Sequence, residues 1–428
     1  MRIRGIVAAV SLAGLLGSGA CADEGMWLLT SPPTEVLRSR YGFEPTEAWL
    51  ERMQKSAVRF STGGSGSIVS KRGLVMTNHH VASEMLSKMS TESRNLLRDG
   101  FSAAAEADEI PCPDLELNVL WEIQDVTDRV NAGTADMSPA DANAARRKAM
   151  ATIEQEASER SGLLCQVVTL YQGARYHLYS YKKFTDVRLV FAPEESIAFF
   201  GGDTDNFEYP RFNLDVTFFR VYENGKPLVP EHHLEWSESG AAENELAFVF
   251  GHPGTTRRLY TVDHLKFVRD VQLPTRLAQI WRREVQLKTF SNRNDENARV
   301  AREDYFGVQN ARKALTGQLE GLLDPAMMSD KARAEANLRA WVLADADRTA
   351  MWGSAWDDLA DAQRKHATFF RDRAMDLSSS QLFQTALHLV RMADELPKPS
   401  GERLREYRDS GLESLRFQLY SPAPVHAA

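Results

Sequence analysis

Two side chains in this sequence are placed to carry out proton-transfer chemistry, and the first is His80. Residues 63–81 read as two short strands joined by a turn at 71–73, and the second strand ends in a polar tip that carries His79 and His80. A histidine at the mouth of a buried strand is well placed for chemistry. On this stretch alone, two ordinary strand-end histidines are an equally good interpretation.

The second side chain is Asp215. Residues 200–222 begin as a glycine-rich, acidic loop and continue as an alternating strand with Asp215 near its beginning. A carboxylate inside an apolar strand is unfavourable to bury unless something pairs with it, and a histidine is the obvious partner. The alternative is a strand residue that faces solvent.

Strands and a few helices must position these two groups. A helix is predicted from Thr46 to about Lys55, another over residues 81–97, and a third from Ser138 to about Arg160, which we interpret as a surface excursion because it is polar around much of its circumference. Strands are predicted at residues 57–61, 115–126, 166–171, 186–192, 197–200 and 246–250.

From about Arg257 the pattern changes to long helices with apolar residues at helical spacing. These helices are predicted at residues 259–292, 296–323, 330–377 and 380–396. Trp341, Trp352 and Trp356 are expected to pack in the core of this helical part.

Length and charge limit the classes of protein. The chain has 428 residues, enough for two or three domains, and a formal net charge of −8. An acidic chain without a basic stripe argues against a nucleic-acid partner.

Residues 1–22 read as a secretory signal peptide, because Arg2 and Arg4 precede a short apolar run and small residues that end at Ala22. The apolar run is too short for a membrane span, and the protein is expected to be periplasmic or secreted. Removal of the signal peptide would change the net charge to about −10. Cys21 raises the alternative of a lipoprotein, which Ser18 makes less favourable than cleavage.

The remaining cysteines and histidines give two further expectations. Cys112 and Cys165 would form one disulfide in an oxidising compartment, the alternative being two buried thiols. No metal site is expected, because none of the remaining histidines stands at metal-ligand spacing from paired acids or thiols. Those histidines are His177, His232, His233 and His252.

Four separated motifs make the sequence similar to a known family. They are Asp-Glu-Gly-Met-Trp at 23–27, Gly-Gly-Ser-Gly-Ser to Leu-Val-Met-Thr-Asn-His-His at 63–80, Asp-Val-Arg-Leu-Val at 186–190, and Phe-Gly-Gly-Asp-Thr-Asp-Asn to Phe-Arg-Val-Tyr at 200–222. In this order they resemble the bacterial dipeptidyl-peptidase BII family, secreted chymotrypsin-fold serine exopeptidases that remove dipeptides from peptide N-termini. The resemblance covers essentially all of the chain from Asp23.

The resemblance implies an α+β fold: the N-terminal half of a chymotrypsin-like double β-barrel at residues 23–256, followed by part of an inserted α-helical cap domain at 257–428, with the second barrel half absent. It also implies oligopeptide substrates, no metal or organic cofactor, and a possible homodimer.

Residue by residue, the resemblance assigns His80 as the general base and Asp215 as the carboxylate that orients it. Asn206 would grip the α-amino group of the substrate, and Phe207 stands beside it where many relatives carry tryptophan. A second asparagine that grips the amine is matched by Asn310, in the motif Asn-x-x-Lys-x-x-x-Gly.

The nucleophile is the difficulty, because the family carries its serine in a Gly-Asn-Ser-Gly context beyond the helical domain. No serine of this chain has that setting after Asp215; Ser65 and Ser67 precede His80 and belong to its strand. One hypothesis is therefore a serine dipeptidyl peptidase present as a fragment that is inactive alone. The alternative is a non-catalytic secreted protein that binds peptides or another partner.

Overall fold

A computed structural model of the chain describes residues 25–91, 93–374 and 381–420. The predicted signal peptide at 1–22, with Cys21, lies outside the described residues, and so does Ser380 at the predicted start of the last long helix. Within the described ranges the fold is mixed α/β, with one large antiparallel sheet and many helices. No helix in these ranges is both long and apolar enough to span a bilayer.

Among the described residues, eleven strands form the sheet, and every hydrogen-bonded pair of them is antiparallel. They are β1 (Ala57–Phe60), β2 (Ser65–Ile68), β3 (Leu74–Thr77), β4 (Phe101–Ser102), β5 (Ile110–Pro111), β6 (Leu117–Asp125), β7 (Leu164–Leu170), β8 (Arg175–Phe184), β9 (Asp186–Ala192), β10 (Thr217–Glu223) and β11 (Lys226–Pro227). Their order is β4-β9-β10-β3-β2-β1-β6-β8-β7, with β5 on β9 and β11 on β10. The strands expected for His80 and Asp215, β3 and β10, are therefore neighbours inside the sheet.

The predicted barrel is wrong in one respect, because this sheet is not closed. Its terminal strands, β4 and β7, stand at opposite ends of the order. The strand predicted at 246–250 is also wrong: Phe248 and Phe250 pack their rings against Trp49, at 5.1 and 5.3 Å between centroids, while Val249 is fully exposed. Side-chain packing on a helix thus replaces strand pairing in this segment.

One apolar cluster fills the space between the central strands and the helix that follows β3. Alternate residues of β1, β3 and β10 point into it, as the strand period of two requires. Its most buried members include Val58, Phe60, Val75, Leu86, Leu117, Leu189 and Phe219. Because this core includes Val75 of β3 and Phe219 of β10, it fixes the two strands that lead to His80 and Asp215.

Between residues 25 and 256, the described part of the chain contains eight α-helices. They are α1 (Thr34–Tyr41), α2 (Glu47–Ser56), α3 (His79–Met89), α4 (Leu96–Asp99), α5 (Thr127–Asn131), α6 (Pro139–Ser161), α7 (Glu195–Ala198) and α8 (Gly202–Asp205). The start of α2 is confirmed, with the Thr46 side chain accepting from the Trp49 amide at 3.2 Å. The strand predicted at 197–200 is wrong, because α7 occupies the start of that segment. The helix predicted over 81–97 is split into α3 and α4 at Ser90, whose hydroxyl donates to Leu86 and accepts from the Leu96 amide.

Helix α6 begins where the sequence predicts, with Ser138 as its cap. It is not a surface excursion, however. Ile153 and Ala157 are buried in a second cluster together with Val167 of β7, and the carboxylate of Glu154 accepts the Val167 amide at 2.8 Å. Small and apolar residues on one face of a largely polar helix are enough to cover the edge strand of the sheet.

Eight more α-helices lie in the described residues of the helical part. They are α9 (Val262–Phe267), α10 (Leu273–Ser291), α11 (Asp295–Leu323), α12 (Pro325–Leu343), α13 (Ala346–Trp352), α14 (Ala355–Ala374), α15 (Gln381–Glu395) and α16 (Asp409–Tyr420). A π-helical segment, Val268–Gln272, joins α9 to α10. The single helix predicted over 330–377 is divided into α12, α13 and α14, with residues 375–377 outside the described ranges.

One expectation for the helical part needs correction. Trp341 and Trp352 stack on each other at 6.5 Å but are about half exposed, so they do not pack the core, which is built instead around Phe267, Leu273 and Phe370. The segment before α16 contacts α6, where the buried Arg408 guanidinium lies 3.2 Å from the Glu154 carboxylate.

The predicted disulfide is not formed. Cys112 and Cys165 are both free and buried, Cys112 in the cluster under β3 and β10 and Cys165 in the separate cluster under α6. A disulfide needs two Cβ atoms about 4 Å apart, which residues of different clusters do not provide. Burial raises the pKa of the Cys112 thiol to about 12, so this cysteine behaves as a small apolar residue.

Candidate active site

The ladder between β3 and β10 brings His80 and Asp215 together. Thr77, the last residue of β3, pairs with Thr217, the first residue of β10. Because the strands are antiparallel, the chain leaving β3 and the chain entering β10 meet at the same end of the ladder. Helix α3 starts at His79 immediately after Asn78, so His80 lies in the first helical turn beside Asp215.

Asp215 accepts three hydrogen bonds that hold the pair in one geometry. Its Oδ2 lies 2.7 Å from His80 Nδ1 and also accepts from Asn78 Nδ2 at 3.1 Å, while its Oδ1 accepts the backbone amide of His80 at 3.0 Å. The carboxylate is mostly shielded, whereas the His80 side chain is 71% exposed. The bond at Nδ1 fixes the imidazole tautomer and leaves Nε2 as the reactive nitrogen.

The pair also shifts both pKa values. The hydrogen bond that His80 donates to the Asp215 carboxylate raises the pKa of the His80 imidazole, against partial desolvation and the repulsion of Arg211. For Asp215, desolvation alone would raise the pKa of the carboxyl group, but the hydrogen bonds from the His80 side chain and backbone outweigh it and lower the pKa. Asp215 is therefore a carboxylate at neutral pH, and His80 is a stronger base than a free histidine.

His79 has a different environment from its neighbour. Its side chain is buried, and desolvation lowers the pKa of its imidazole. Its Nε2 has no hydrogen-bond partner among the described residues. His79 is thus a core residue, and His80 is the histidine that the sheet presents to solvent.

The two asparagines assigned by resemblance lie in contact, although they come from different parts of the fold. Asn206 follows α8 in the acidic loop, and Asn310 lies on α11, 104 residues away. Asn206 Nδ2 donates to Asn310 Oδ1 at 3.0 Å, and Arg211 Nη1 donates to Asn206 Oδ1 at 3.0 Å. The arrangement places two amide groups side by side at the junction of the sheet and the helices.

Helix α11 holds the loop through several further contacts. The Lys313 ammonium donates to the backbone carbonyls of Asp203, Thr204 and Asn206, at 3.1 Å for Thr204 and 3.2 Å for Asn206. Glu195 forms an ion pair with Arg302 of the same helix. A cation at the carbonyl end of a short helical turn satisfies acceptors that the turn leaves open.

Phe207 stands beside this junction with its ring 62% exposed. Its φ of 65° is in the left-handed region, which a residue with a side chain adopts at a cost of about 1 kcal/mol. An exposed ring held in a strained conformation next to polar groups is typical of a binding surface.

One group of side chains in the described residues has the spacing of a metal site. Glu51, Glu231 and His232 have ligand atoms within 4.8 Å of one another. The Lys55 ammonium lies 2.7 Å from Glu51 and 3.8 Å from Glu231, so a protein cation already neutralises these carboxylates. This exposed cluster lies outside the site described above and supports no metal assignment.

Asn78, Arg211 and Lys313 also support the site, although the sequence motifs that contain them indicate no role for them. A signal is visible for Arg211, the one basic residue in the loop 200–215, which carries Asp203, Asp205, Glu208 and Asp215. Asn78 stands directly before the first turn of α3, a position that favours asparagine.

A histidine that a carboxylate holds at Nδ1 and that is exposed at Nε2 is the general-base arrangement of acyl-transfer hydrolases. Residues 22–428 match the model of the Peptidase S46 family, and the chain belongs to this family.

Known relatives agree with this membership. The chain is 32% identical over 352 residues to the Asp/Glu-specific dipeptidyl-peptidase of Porphyromonas gingivalis, which covers 75% of this chain and 48% of the relative. It is 31% identical to dipeptidyl-peptidase 7 of Phocaeicola vulgatus, which covers 76% and 48%. The chain therefore spans about half the length of the curated relatives that it matches.

A crystal structure of Porphyromonas endodontalis DPP11 in complex with the dipeptide Arg-Glu shares the fold. The two superpose with a TM-score of 0.72 at 24% identity, over 93% of this chain and 60% of that one. The mixed α/β architecture with a large antiparallel sheet is therefore that of the solved relatives.

Proposed function

We propose that this chain carries the general base and the amine-binding groups of a serine-type dipeptidyl peptidase that removes dipeptides from the N-termini of oligopeptides. The observation that carries the proposal is the 2.7 Å contact between His80 Nδ1 and Asp215 Oδ2 in a chain of the Peptidase S46 family. The names of the relatives support the dipeptide product.

In the proposed reaction, His80 Nε2 takes the proton of a serine hydroxyl as the oxygen attacks the second peptide carbonyl of the substrate. His80 then gives this proton to the departing amine, and the dipeptide remains as an ester on the serine. Water, deprotonated in the same way, hydrolyses the ester. Asp215 stays ionised and stabilises the imidazolium in both steps, consistent with its lowered pKa.

The serine is proposed to come from a part of the enzyme that the structure does not describe. None of the serines in the described ranges forms a hydrogen bond with His80 Nε2, and the exposure of the imidazole leaves that nitrogen accessible. The oxyanion donors that acyl transfer requires are assigned to the same part.

The amide oxygens of Asn206 and Asn310 are proposed to accept hydrogen bonds from the α-amino group of the substrate. An ammonium group has three donors and no acceptor, so carbonyl oxygens are suitable partners. Anchoring the amine at a fixed distance from His80 selects the bond two residues from the N-terminus, roughly 7 Å along an extended chain. Phe207 would form a wall beside the first residue of the substrate.

Two further features belong to the proposal. The predicted signal peptide at 1–22 supports a periplasmic or secreted location, and the resemblance supports a homodimer. No metal or organic cofactor is invoked, because proton transfer and covalent catalysis by side chains are sufficient for peptide hydrolysis.

The test measures binding and turnover separately. Isothermal calorimetry compares a dipeptide that has a free amine with its N-acetylated form, using the 428-residue chain. Dipeptide release from a fluorogenic substrate is then assayed with the chain and with the product of any longer reading frame at the same locus. We expect free-amine binding by the chain and turnover that His80→Gln abolishes, with His233→Gln as the control.

Two outcomes would change the proposal. Equal binding of both dipeptide forms would remove the amine-binding role. Binding without turnover by any product of the locus would favour the alternative of a non-catalytic peptide-binding protein.

A further inference from the structure

Arg211 is the one cation in the acidic loop, and it is held from two directions. Its Nη1 donates to Asn206 Oδ1 at 3.0 Å, and its guanidinium lies 4.9 Å from the centre of the Phe199 ring. Phe199 in turn packs against Phe306 of α11 at 5.4 Å. The arginine is therefore held by Asn206 and Phe199, and Phe199 links it to helix α11.

The chemistry of the guanidinium decides the orientation of two amides. Arginine only donates hydrogen bonds, so the atom of Asn206 that faces it is the oxygen. The Asn206 NH₂ group must then face Asn310, and Asn310 must offer its oxygen in return, as the 3.0 Å contact between Asn206 Nδ2 and Asn310 Oδ1 shows. The Arg211 guanidinium, as the first donor in this row of hydrogen bonds, thus determines the orientation of both amide groups.

The orientation of these two amides determines whether a cationic ligand can bind. Each amide oxygen has two lone pairs, and the bonds described above use one lone pair on each oxygen. The second lone pair of each oxygen remains for an ammonium. If either amide turned by 180°, its NH₂ group would face the ligand and repel it.

We propose that Arg211 is a positioning residue that orients the amides of Asn206 and Asn310 so that both carbonyl oxygens face the α-amino group of the ligand. This inference rests on the proposed amine site, and it adds the residue that gives the site its selectivity for a free amine.

The remaining nitrogens of Arg211 argue against a purely structural role. Nε and Nη2 are shielded from solvent and have no hydrogen-bond partner in the part of the chain that the structure describes. Shielded donors without partners are unfavourable, and a methionine would fill the same space without them. The bond to Asn206 is thus the one hydrogen bond that the Arg211 guanidinium makes within the described residues, beside its cation–π contact with Phe199.

Two variants of similar length test the proposal in the 428-residue chain. Lysine keeps a group that only donates, whereas the amide of glutamine both donates and accepts and therefore does not fix Asn206. We expect Arg211→Gln to weaken calorimetric binding of a free-amine dipeptide by about tenfold, with binding of the N-acetylated form unchanged. Arg211→Lys should retain free-amine affinity within about threefold.

The opposite results would overturn the proposal. If lysine and glutamine weaken binding equally, or if Arg211→Gln weakens both dipeptide forms equally, the arginine acts through packing and not through amide orientation.

A second measurement does not depend on a ligand. Neutron diffraction from deuterated crystals of the wild type and Arg211→Gln shows which atoms of Asn206 and Asn310 carry deuterium. A single orientation in the wild type and mixed orientations in the variant support the proposal, whereas the same orientation in both contradicts it. If the wild type binds neither dipeptide form, the proposed function fails while this result still decides the role of Arg211.

Discussion

The two pairs of the candidate site are held together in different ways. His80 and Asp215 sit at the end of one β-ladder, where Thr77 pairs with Thr217, above a common apolar core. Asn206 and Asn310 come from a loop and a helix and meet only where the helical part packs on the sheet. The first pair is a product of strand register, and the second is a product of how two parts of the fold dock.

The pair proposed for proton transfer and the pair proposed for amine binding thus depend on different parts of the fold. Register in a sheet with a buried face is strongly specified, because a slip by one residue exposes the core. Contacts between a loop and a helix depend instead on a few polar groups, of which Lys313 and Arg211 are the most central here. The proposed catalytic pair, His80 and Asp215, should therefore tolerate damage that abolishes the proposed amine site.

The largest effect is expected from truncating the two cores. Phe219 of β10 is fully buried in the first core cluster, and Leu273 is fully buried in the helical core that includes Leu322 of α11. Phe219→Ala and Leu273→Ala should each lower the free energy of unfolding by about 3–5 kcal/mol, measured by chemical denaturation. Phe219→Ala should also change the NMR titration of His80.

The comparison fails if Leu273→Ala shifts the His80 titration as strongly as Phe219→Ala does. The contrast between the two pairs is supported if Leu273→Ala abolishes selective binding of free-amine dipeptides while His80 titrates as in the wild type.

A smaller and more local effect is expected at the contact between helix and loop. Lys313→Met removes the ammonium that binds three backbone carbonyls of the loop. Binding of a free-amine dipeptide should weaken by about 2 kcal/mol, or roughly thirtyfold in calorimetry. Lys331→Met is the matched control, because Lys331 also donates to a backbone carbonyl, that of Arg258, but away from the loop. An equal loss of dipeptide affinity in the two variants would contradict the proposal that Lys313 organises the amine site.

The catalytic pair is tested on its own by Asp215→Asn. The hydrogen bond to Asp215 is the main reason that the pKa of His80 is raised, so the variant should titrate at lower pH in NMR, while dipeptide affinity stays the same. Stability at pH 5–6 should fall by about 1 kcal/mol, a small loss because His80 is exposed. A His80 pKa that rises or does not move would contradict the role given to Asp215.

The sign of the pH dependence follows from the two shifts. The raised pKa of His80 contributes stability below about pH 6.5, which is lost as the pH rises through the folded value. The lowered pKa of Asp215 contributes stability above about pH 3.9, which is lost as the pH falls through the folded value. The pair therefore stabilises the fold most between about pH 4 and 6.5, and Asp215→Asn should flatten the stability profile in that window.

The sequence predicted the first pair better than the second for a physical reason. Alternation and a polar strand tip identify β3, β10 and the places of His80 and Asp215, because strand periodicity is local. Asn206 and Asn310 carry no local signal and were assigned only through the family resemblance. The orientation of one amide by Arg211 depends on a third side chain and is not visible in spacing at all.

The errors in the predicted fold also arise because local sequence patterns do not show long-range contacts. Alternation shows which residues face a core, but it does not show which strands pair or whether a sheet closes, so the barrel and the strand at 246–250 were wrong. A count of two cysteines gives no distance between Cys112 and Cys165. The average composition of α6 predicts an exposed helix, whereas its packing depends on a few residues such as Ile153 and Ala157.

The smallest effect is expected at Phe207, where two substitutions separate the ring from the backbone. Phe207→Ala and Phe207→Gly both remove the exposed ring and should weaken dipeptide binding alike, by about threefold. Glycine also relieves the left-handed conformation, and after its larger chain entropy is subtracted it should leave the protein roughly 0.5 kcal/mol more stable than alanine. If the glycine variant alone kept wild-type affinity, Phe207 would act through its backbone, and the amine site would depend on loop shape more than on an aromatic wall.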